Sequence, residues 1–282
     1  MSMVNRFNWV EGEATLRRCA SNIASALMLL ARPPRFDARP TWLKAPRDFV
    51  IAATGAIVIF MILMLLVDAA AIRGTERLPF WVVSVFDDIT DYGKSGWFLW
   101  PLGLLFVALS ALPPVLVPMS QRVLAVVMVR IGFLFAAIAV PSLFVTIVKR
   151  LIGRARPMVG GSLDPFLFSP FSWRVEYAAM PSGHATTAFA ALVAFGTLWP
   201  RVRTMFLIYA FLIAISRVVV TAHYPTDVLA GALVGIAGAM MVRRYFAQRR
   251  LGFSIRLDGA VHQYPGPSLR RMKAVARGLL AP

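Results

Sequence analysis

Runs of about 20 apolar residues recur along this chain, and a run of that length is what a helix needs to cross the hydrocarbon core of a bilayer. Phe49 to Ala71 is one such run, with a single acid, Asp68, near its far end. Gly96 to Leu116 is a second, ending in Pro113-Pro114, and Val123 to Val148 is a third, interrupted by Arg130. Ser182 to Trp199, Met205 to Thr221 and Pro225 to Val242 are three shorter ones. Composition agrees: 59% of the 282 residues are hydrophobic and 15% charged, whereas a soluble domain is about a quarter charged. The expected fold class is therefore all-α, a polytopic membrane bundle of six transmembrane helices.

The net charge of +17, from 30 Lys and Arg against 13 Asp and Glu, is decided by where the charges sit. With both termini cytoplasmic, the inner segments 1–48, 118–122, 200–204 and 243–282 hold 8, 1, 2 and 9 basic residues, against 9 in the opposite loops. That bias is the positive-inside signal. It makes anionic lipid at the cytoplasmic face the expected partner of the basic segments and gives no reason to invoke nucleic acid.

Three domains follow: a basic cytoplasmic segment over 1–48, a six-span catalytic domain over 49–242, and a basic, loosely ordered cytoplasmic tail over 243–282. The first segment lacks the short apolar core of a signal peptide. Leu16, Cys19 or Ala20, Ile23, Leu27 and Leu30 recur at helical spacing, which predicts an amphipathic helix lying on the inner surface or packed under the bundle. Arg32-Pro33-Pro34-Arg35 ends it, and a short linker follows. Leu78 to Asp91 predicts a short external helix, with Asp87, Asp88 and Asp91 as a solvated face or a substrate gate. The lone Cys19 excludes an internal disulfide and any cysteine-based metal cage.

Polarity on the outer side gathers at three places. Lys149 closes the third span, with Arg156-Pro157 beyond it; Pro181-Ser182-Gly183-His184 opens the fourth; Ser216-Arg217 ends the fifth, followed by His223 and Asp227. Lys149, Arg156 and Arg217 offer one point charge and two planar forks, suited to a phosphate dianion. Gly153 and Pro157 should break the helix and let Arg156 fold back toward Lys149. The helix start at Ser182 and Gly183 presents free backbone N–H groups to an anion, and Ser182 adds a hydroxyl. Asp227, in the first turn of the last span, lies near enough to take the Nδ1 proton of His223, leaving Nε2 free to attack phosphorus. His184 is placed to protonate the leaving oxygen. The same two histidines and Asp227 could ligate zinc, but three permanent cations aimed at one spot suit an anion. No metal or cofactor is expected.

Lys-x6-Arg-Pro, Pro-Ser-Gly-His and Ser-Arg-x5-His-x3-Asp, in this order, resemble the signature of the type-2 phosphatidic acid phosphatase and vanadium haloperoxidase superfamily. The signature covers residues 149–227, and the span arrangement resembles the membrane lipid phosphatase branch over about 49–242. The resemblance implies a metal-independent phosphatase with His223 as nucleophile, Asp227 as its partner and His184 as general acid. Lys149, Arg156, Ser182, Gly183 and Arg217 would be the phosphate contacts. It further implies a lipid phosphate or diphosphate substrate, of the undecaprenyl diphosphate, phosphatidate, phosphatidylglycerol phosphate or lipid A class. Hydrolysis would run through a phosphohistidine at the outer face, in a bacterial inner membrane with the site toward the periplasm.

Other readings stay open beside this one. A lipid or sugar acceptor in place of water would make the same site a phosphotransferase, and a polar path through the spans would make the chain a lipid transporter or binding protein. Haloperoxidases with this anion site are soluble, which the six spans oppose. Arg150 and Arg154, taken singly, read as snorkelling residues at a span end. Arg130 either snorkels inward or pairs with Asp68, and His262 reads as a solvated tail residue. Gly160-Gly161 and Pro165 to Phe171 form an outer loop that packs over the site or touches lipid.

Overall fold

The apolar runs fold as helices in the computed structural model of the chain, which describes residues 3–35, 46–112, 118–256 and 258–280. In order these are α1 (Met3–Ala31), α2 (Pro46–Leu63), α3 (Ala69–Thr75), α4 (Phe80–Asp91), α5 (Gly96–Ser110), α6 (Pro118–Ile152), α7 (Gly183–Leu198), α8 (Arg203–Val219), α9 (Pro225–Gln248) and α10 (Leu269–Leu280). A π-helical turn, Met64–Asp68, joins α2 to α3. Among the described residues, four stretches are long and apolar enough to cross a membrane: Arg47–Thr75, Met119–Ile152, Pro200–Val219 and Pro225–Gln248. Of the other two expected spans, α5 has 15 residues and α7 has 16. Pro113-Pro114 and the linker before α2 lie outside the described residues.

The chain divides into two units. One comprises Ala38–Trp97 and Ala136–Val242. Its centre is α7, whose Ala185, Ala188, Ala190, Ala191 and Ala194 have no solvent access. Small side chains on most sides let neighbours close in. Ala188 and Phe189 meet Ala210 and Ile213 of α8 and Ala232 of α9, with Ile89 of α4 at the edge. At 1.5 Å per residue α7 is about 24 Å long. A helix wrapped by others can be shorter and less apolar than one facing lipid, which explains its weak signal in sequence. By contrast, Ile57, Leu65 and Leu66 near the first span's middle are exposed, as a lipid-facing surface would be.

The other unit comprises Met1–Asp37, Phe98–Phe135 and Arg243–Pro282. Its tail is not loosely ordered. Strand β1 (Phe253–Ile255) pairs antiparallel with β2 (Val261–Gln263), so the chain is mostly helical rather than all-α. The hairpin is held because Phe253 packs edge-on against Phe133, at 4.8 Å between centroids, and Phe133 in turn meets Phe246 at 5.6 Å. His262 sits in β2 opposite Ser254. Arg130 donates to the Tyr264 carbonyl at 2.8 Å, so its partner is the tail and not Asp68. A helix forms at the N-terminal segment and is held near its end by Tyr245 and Arg249, which both donate to the Leu30 carbonyl.

Close contact of α9 with α7 depends on two glycines. A Cβ at Gly231 would lie 2.4 Å from the Ser182 carbonyl oxygen, and one at Gly235 would lie 2.4 Å from that of Thr186. Small residues four apart are what lets membrane helices touch backbone to backbone. Gly235→Val is therefore expected to destabilise the protein by at least the ~1–3 kcal/mol typical of overpacking. The check is the thermal or denaturant midpoint of the detergent-purified protein; an unchanged midpoint would mean the helices separate at no cost.

Candidate active site

The ends of α6, α7, α8 and α9 converge on one place, and local chemistry explains each end. Lys149 lies in the last turn of α6, which stops at Ile152. Gly153 follows with φ of +65°, where a Cβ would fall 1.8 Å from the Ser169 carbonyl oxygen. The chain then turns sharply, and the Arg156 amide donates to Glu176.

Ser182 is the residue before α7, and its amide donates to the Asp227 carbonyl at 2.9 Å, tying the starts of α7 and α9 together. Gly183 and His184 are the first two residues of that helix. Arg217 lies in the last turn of α8 and is buried. The chain after it curls back so that the amides of Ala222 and His223 both donate to the Arg217 carbonyl. Five intervening residues are what this curl consumes. Asp227 then accepts from the Tyr224 amide at 2.9 Å, the reach-back of an acid in the first helical turn to the residue at the cap.

His223 Nδ1 stands 3.6 Å from Asp227 Oδ2, inside ion-pair range and longer than a hydrogen bond. Both side chains are buried. Burial is the main influence holding His223 below its ordinary pKa; Asp227 opposes the shift, and Arg217 and Arg156 add to it. Burial likewise lowers Arg156, with Asp227 opposing and Arg150 adding. Arg156 Nε, Arg217 Nε, Ser182 Oγ and His223 Nδ1 are buried and have no hydrogen-bond partner. Buried donors without partners are costly, and an oxyanion would satisfy the first three, while His223 Nδ1 faces Asp227.

Three residues with a place at this site escaped the sequence. Thr90, at the end of α4, accepts from Arg217 Nη1 at 2.6 Å. Gly93, in the turn that follows, runs so close that a Cβ would lie 2.9 Å from His184 Cδ2 and 2.8 Å from Ile213 Cγ2. Asp91 beside them pairs with Lys94 at 2.7 Å and is exposed, as a solvated face requires.

The third is Arg154. It does not snorkel: its side chain has no exposure and binds Asp227 Oδ1 at 2.6 Å and Asp68 Oδ2 at 2.7 Å. Asp68 in turn accepts from the Thr226 amide at 3.0 Å. An acid inside a 20-residue apolar run needs a partner at its own depth, and that requirement was the signal pointing to it. Arg150 also has a partner, donating to the carbonyls of Trp173 and Arg174 in the loop between α6 and α7.

A buried histidine backed by a carboxylate, flanked by two arginines with free donors and a helix N-terminus, is an arrangement suited to an oxyanion. The PAP2 superfamily profile matches residues 130–251. The lipid A 1-phosphatase of Rhizobium johnstonii is 35% identical over 197 residues, which covers 70% of this chain and 80% of that protein. That of Rhizobium etli is 34% identical over 197 residues, covering 70% and 84%. The chain belongs to the PAP2 superfamily, in its membrane lipid phosphatase branch, and is an integral membrane protein. The crystal structure of Aquifex aeolicus LpxE is also similar, at 20% identity and a TM-score of 0.46 over 63% of this chain and 95% of that one. A likeness that weak does not bear on the geometry here.

Thr90 carries a prediction. Thr90→Val removes the only described partner of Arg217 Nη1 and should weaken binding of orthovanadate about tenfold, the worth of a hydrogen bond to a charged group. Calorimetric titration of the purified protein measures it; unchanged affinity would show that Arg217 keeps its pose unaided.

Proposed function

We propose that the chain hydrolyses a lipid phosphate or diphosphate at the periplasmic face of a bacterial inner membrane, through a phosphohistidine on His223. The observation that carries this is the set of buried, partnerless donors around a buried histidine: Ser182 Oγ, Arg156 Nε and Arg217 Nε. A phosphate dianion supplies acceptors to all three at once. Lys149 and the helix start at Gly183 add charge and backbone N–H groups.

In the reaction His223 Nε2 attacks phosphorus, and the N–P bond forms as the P–O bond to the lipid breaks. The bonding electrons leave with the lipid oxygen, which takes a proton from His184. A phosphate dianion beside His184 favours its proton-bearing form beforehand. Asp227 steadies the positive charge that the phosphorylated His223 ring acquires. Water then attacks phosphorus while the now neutral His184 takes one of its protons, and the N–P bond breaks with its electrons returning to His223 as phosphate leaves. No step calls for a metal.

Among the candidate lipids, the activity of the two Rhizobium relatives supports the lipid A class first. Six crossings, with α5 and α7 beside the four long spans, and both termini in the cytoplasm remain our assignment, supported by the distribution of Lys and Arg.

Purified protein should release phosphate in EDTA from a panel of lipid A, phosphatidate, phosphatidylglycerol phosphate and undecaprenyl diphosphate, fastest from lipid A. His223→Ala should abolish release, and unimpaired turnover by that variant would sink the mechanism. The pH dependence has a definite sign. His223 must be neutral to attack, and its neutral fraction falls as pH drops through its depressed pKa. The acid limb of kcat/KM should therefore lie below about 6.5, the value of an unperturbed histidine. A limb at or above that value in a rate–pH profile would contradict the burial argument.

A further inference from the structure

We propose that Arg154 and Asp68 are positioning residues that fix the carboxylate behind His223, so that the first span is part of the catalytic unit. This rests on His223 being the nucleophile.

The geometry leaves Asp227 no freedom. Its Oδ1 accepts from Arg154 Nη1 at 2.6 Å; its Oδ2 accepts from the Tyr224 amide at 2.9 Å and faces His223 Nδ1. With Oδ1 held, the plane of the carboxylate is set, and Oδ2 stays toward the imidazole. Arg154 is itself pinned on every nitrogen. Its Nε donates to the Pro165 carbonyl at 3.0 Å, Nη1 also to Thr226 Oγ1 at 2.8 Å, and Nη2 to Asp68 Oδ2 at 2.7 Å. The guanidinium also lies over the Tyr224 ring, 4.7 Å from its centroid. Asp68 is held by the Thr226 amide and hydroxyl, and it is delivered by the π-helical turn Met64–Asp68. Such turns inside α-helices often mark functional positions.

Charge explains why Asp68 is needed. Arg154 and Asp227 alone would cancel, and Asp227 would have little negative charge to offer the imidazole. With Asp68 on the far side of the guanidinium, the cluster of three carries one net negative charge, and Oδ2 of Asp227 is where it meets His223. All three side chains are fully buried, so water does not screen the effect.

The test uses the full chain in detergent and whichever of lipid A and dioctanoyl phosphatidate the wild type turns over faster. Asp68→Asn keeps shape and removes one charge. It should lower kcat about 10- to 100-fold, the usual scale for a group acting through a first ligand, with KM changed less than about threefold. The groups facing the His223 ring are Asp227 on α9, Arg217 on α8, Arg156 after α6 and His184 on α7. With those unchanged, Asp68→Asn should move the acid limb of kcat/KM to lower pH, and Arg154→Gln should move it to higher pH. Loss of packing alone would not shift the limb in opposite directions. Thr226→Val, which removes only the hydroxyl between Arg154 and Asp68, should lower kcat in the same sense if either charge variant fails to fold.

Wild-type kcat in Asp68→Asn or Thr226→Val, or limbs that move together or not at all, would overturn the proposal. Turnover by His223→Ala would overturn the nucleophile assignment instead, so the two failures are told apart.

Discussion

A guanidinium with no access to water must be surrounded by its own counter-charges, and Arg154 obtains them from segments far apart in sequence. Asp68 comes from the first span, Asp227 and Thr226 from the start of α9, and the Pro165 carbonyl from the loop between α6 and α7. The Arg154 carbonyl takes the Ala179 amide as well, just ahead of the Ser182 helix start. Removing Arg154 would leave two buried carboxylates without their counter-charge, a loss of about 3–5 kcal/mol in comparable networks. The strands of chain that carry the site therefore cannot drift apart without breaking this cluster. Fold and site are held by the same atoms.

The contrast with the other two arginines follows from how many donors each has left. Every nitrogen of Arg154 is engaged within the protein, so it has nothing to offer a substrate. Arg156 and Arg217 are buried enough to be stripped of much of their water, yet each keeps an Nε without an acceptor. Arg217 spends one Nη on Thr90 and is thereby aimed. Identical side chains within one unit thus do two jobs, and what separates them is the supply of acceptors. A planar fork held rigid by one contact and open on another edge is pre-organised for a phosphate oxygen.

Much of this was legible in the sequence, for definite reasons. The signature residues sit at helix ends, and helix ends are announced by Gly153, Pro181 and Pro225. Spacing then dictates which side chains meet: the curl after α8 brings His223 under the Arg217 carbonyl, and the first turn of α9 returns Asp227 to Tyr224. Arg154 was misread because a basic residue at a span end is ordinarily solvated, and only a three-dimensional partner says otherwise. Thr90 and Gly93 carry no local mark of function at all. Their place comes from the packing of α4 on α8 and α7, which no periodicity encodes. The tail was read as loose because Gly and Pro interrupt it. Phe253 against Phe133 is a long-range contact, invisible to a local pattern.

The signature segments are consequently not a self-sufficient site. They supply the proposed nucleophile, its carboxylate and the proposed anion donors over residues 149–227, but two elements outside that stretch complete the geometry. Asp68 restores the negative charge that Arg154 would otherwise cancel at Asp227, while Thr90 fixes the fork of Arg217 and Gly93 admits the chain beside His184. Both come from the part of the chain before the region matched by the family profile, which begins at residue 130. A span and a short helix that look like membrane scaffold in sequence thus bear on the candidate site through Arg154 and Arg217. Substitutions there reach the chemistry through charge and aim, without contacting phosphate, and the boundary of the catalytic unit has to be drawn around them.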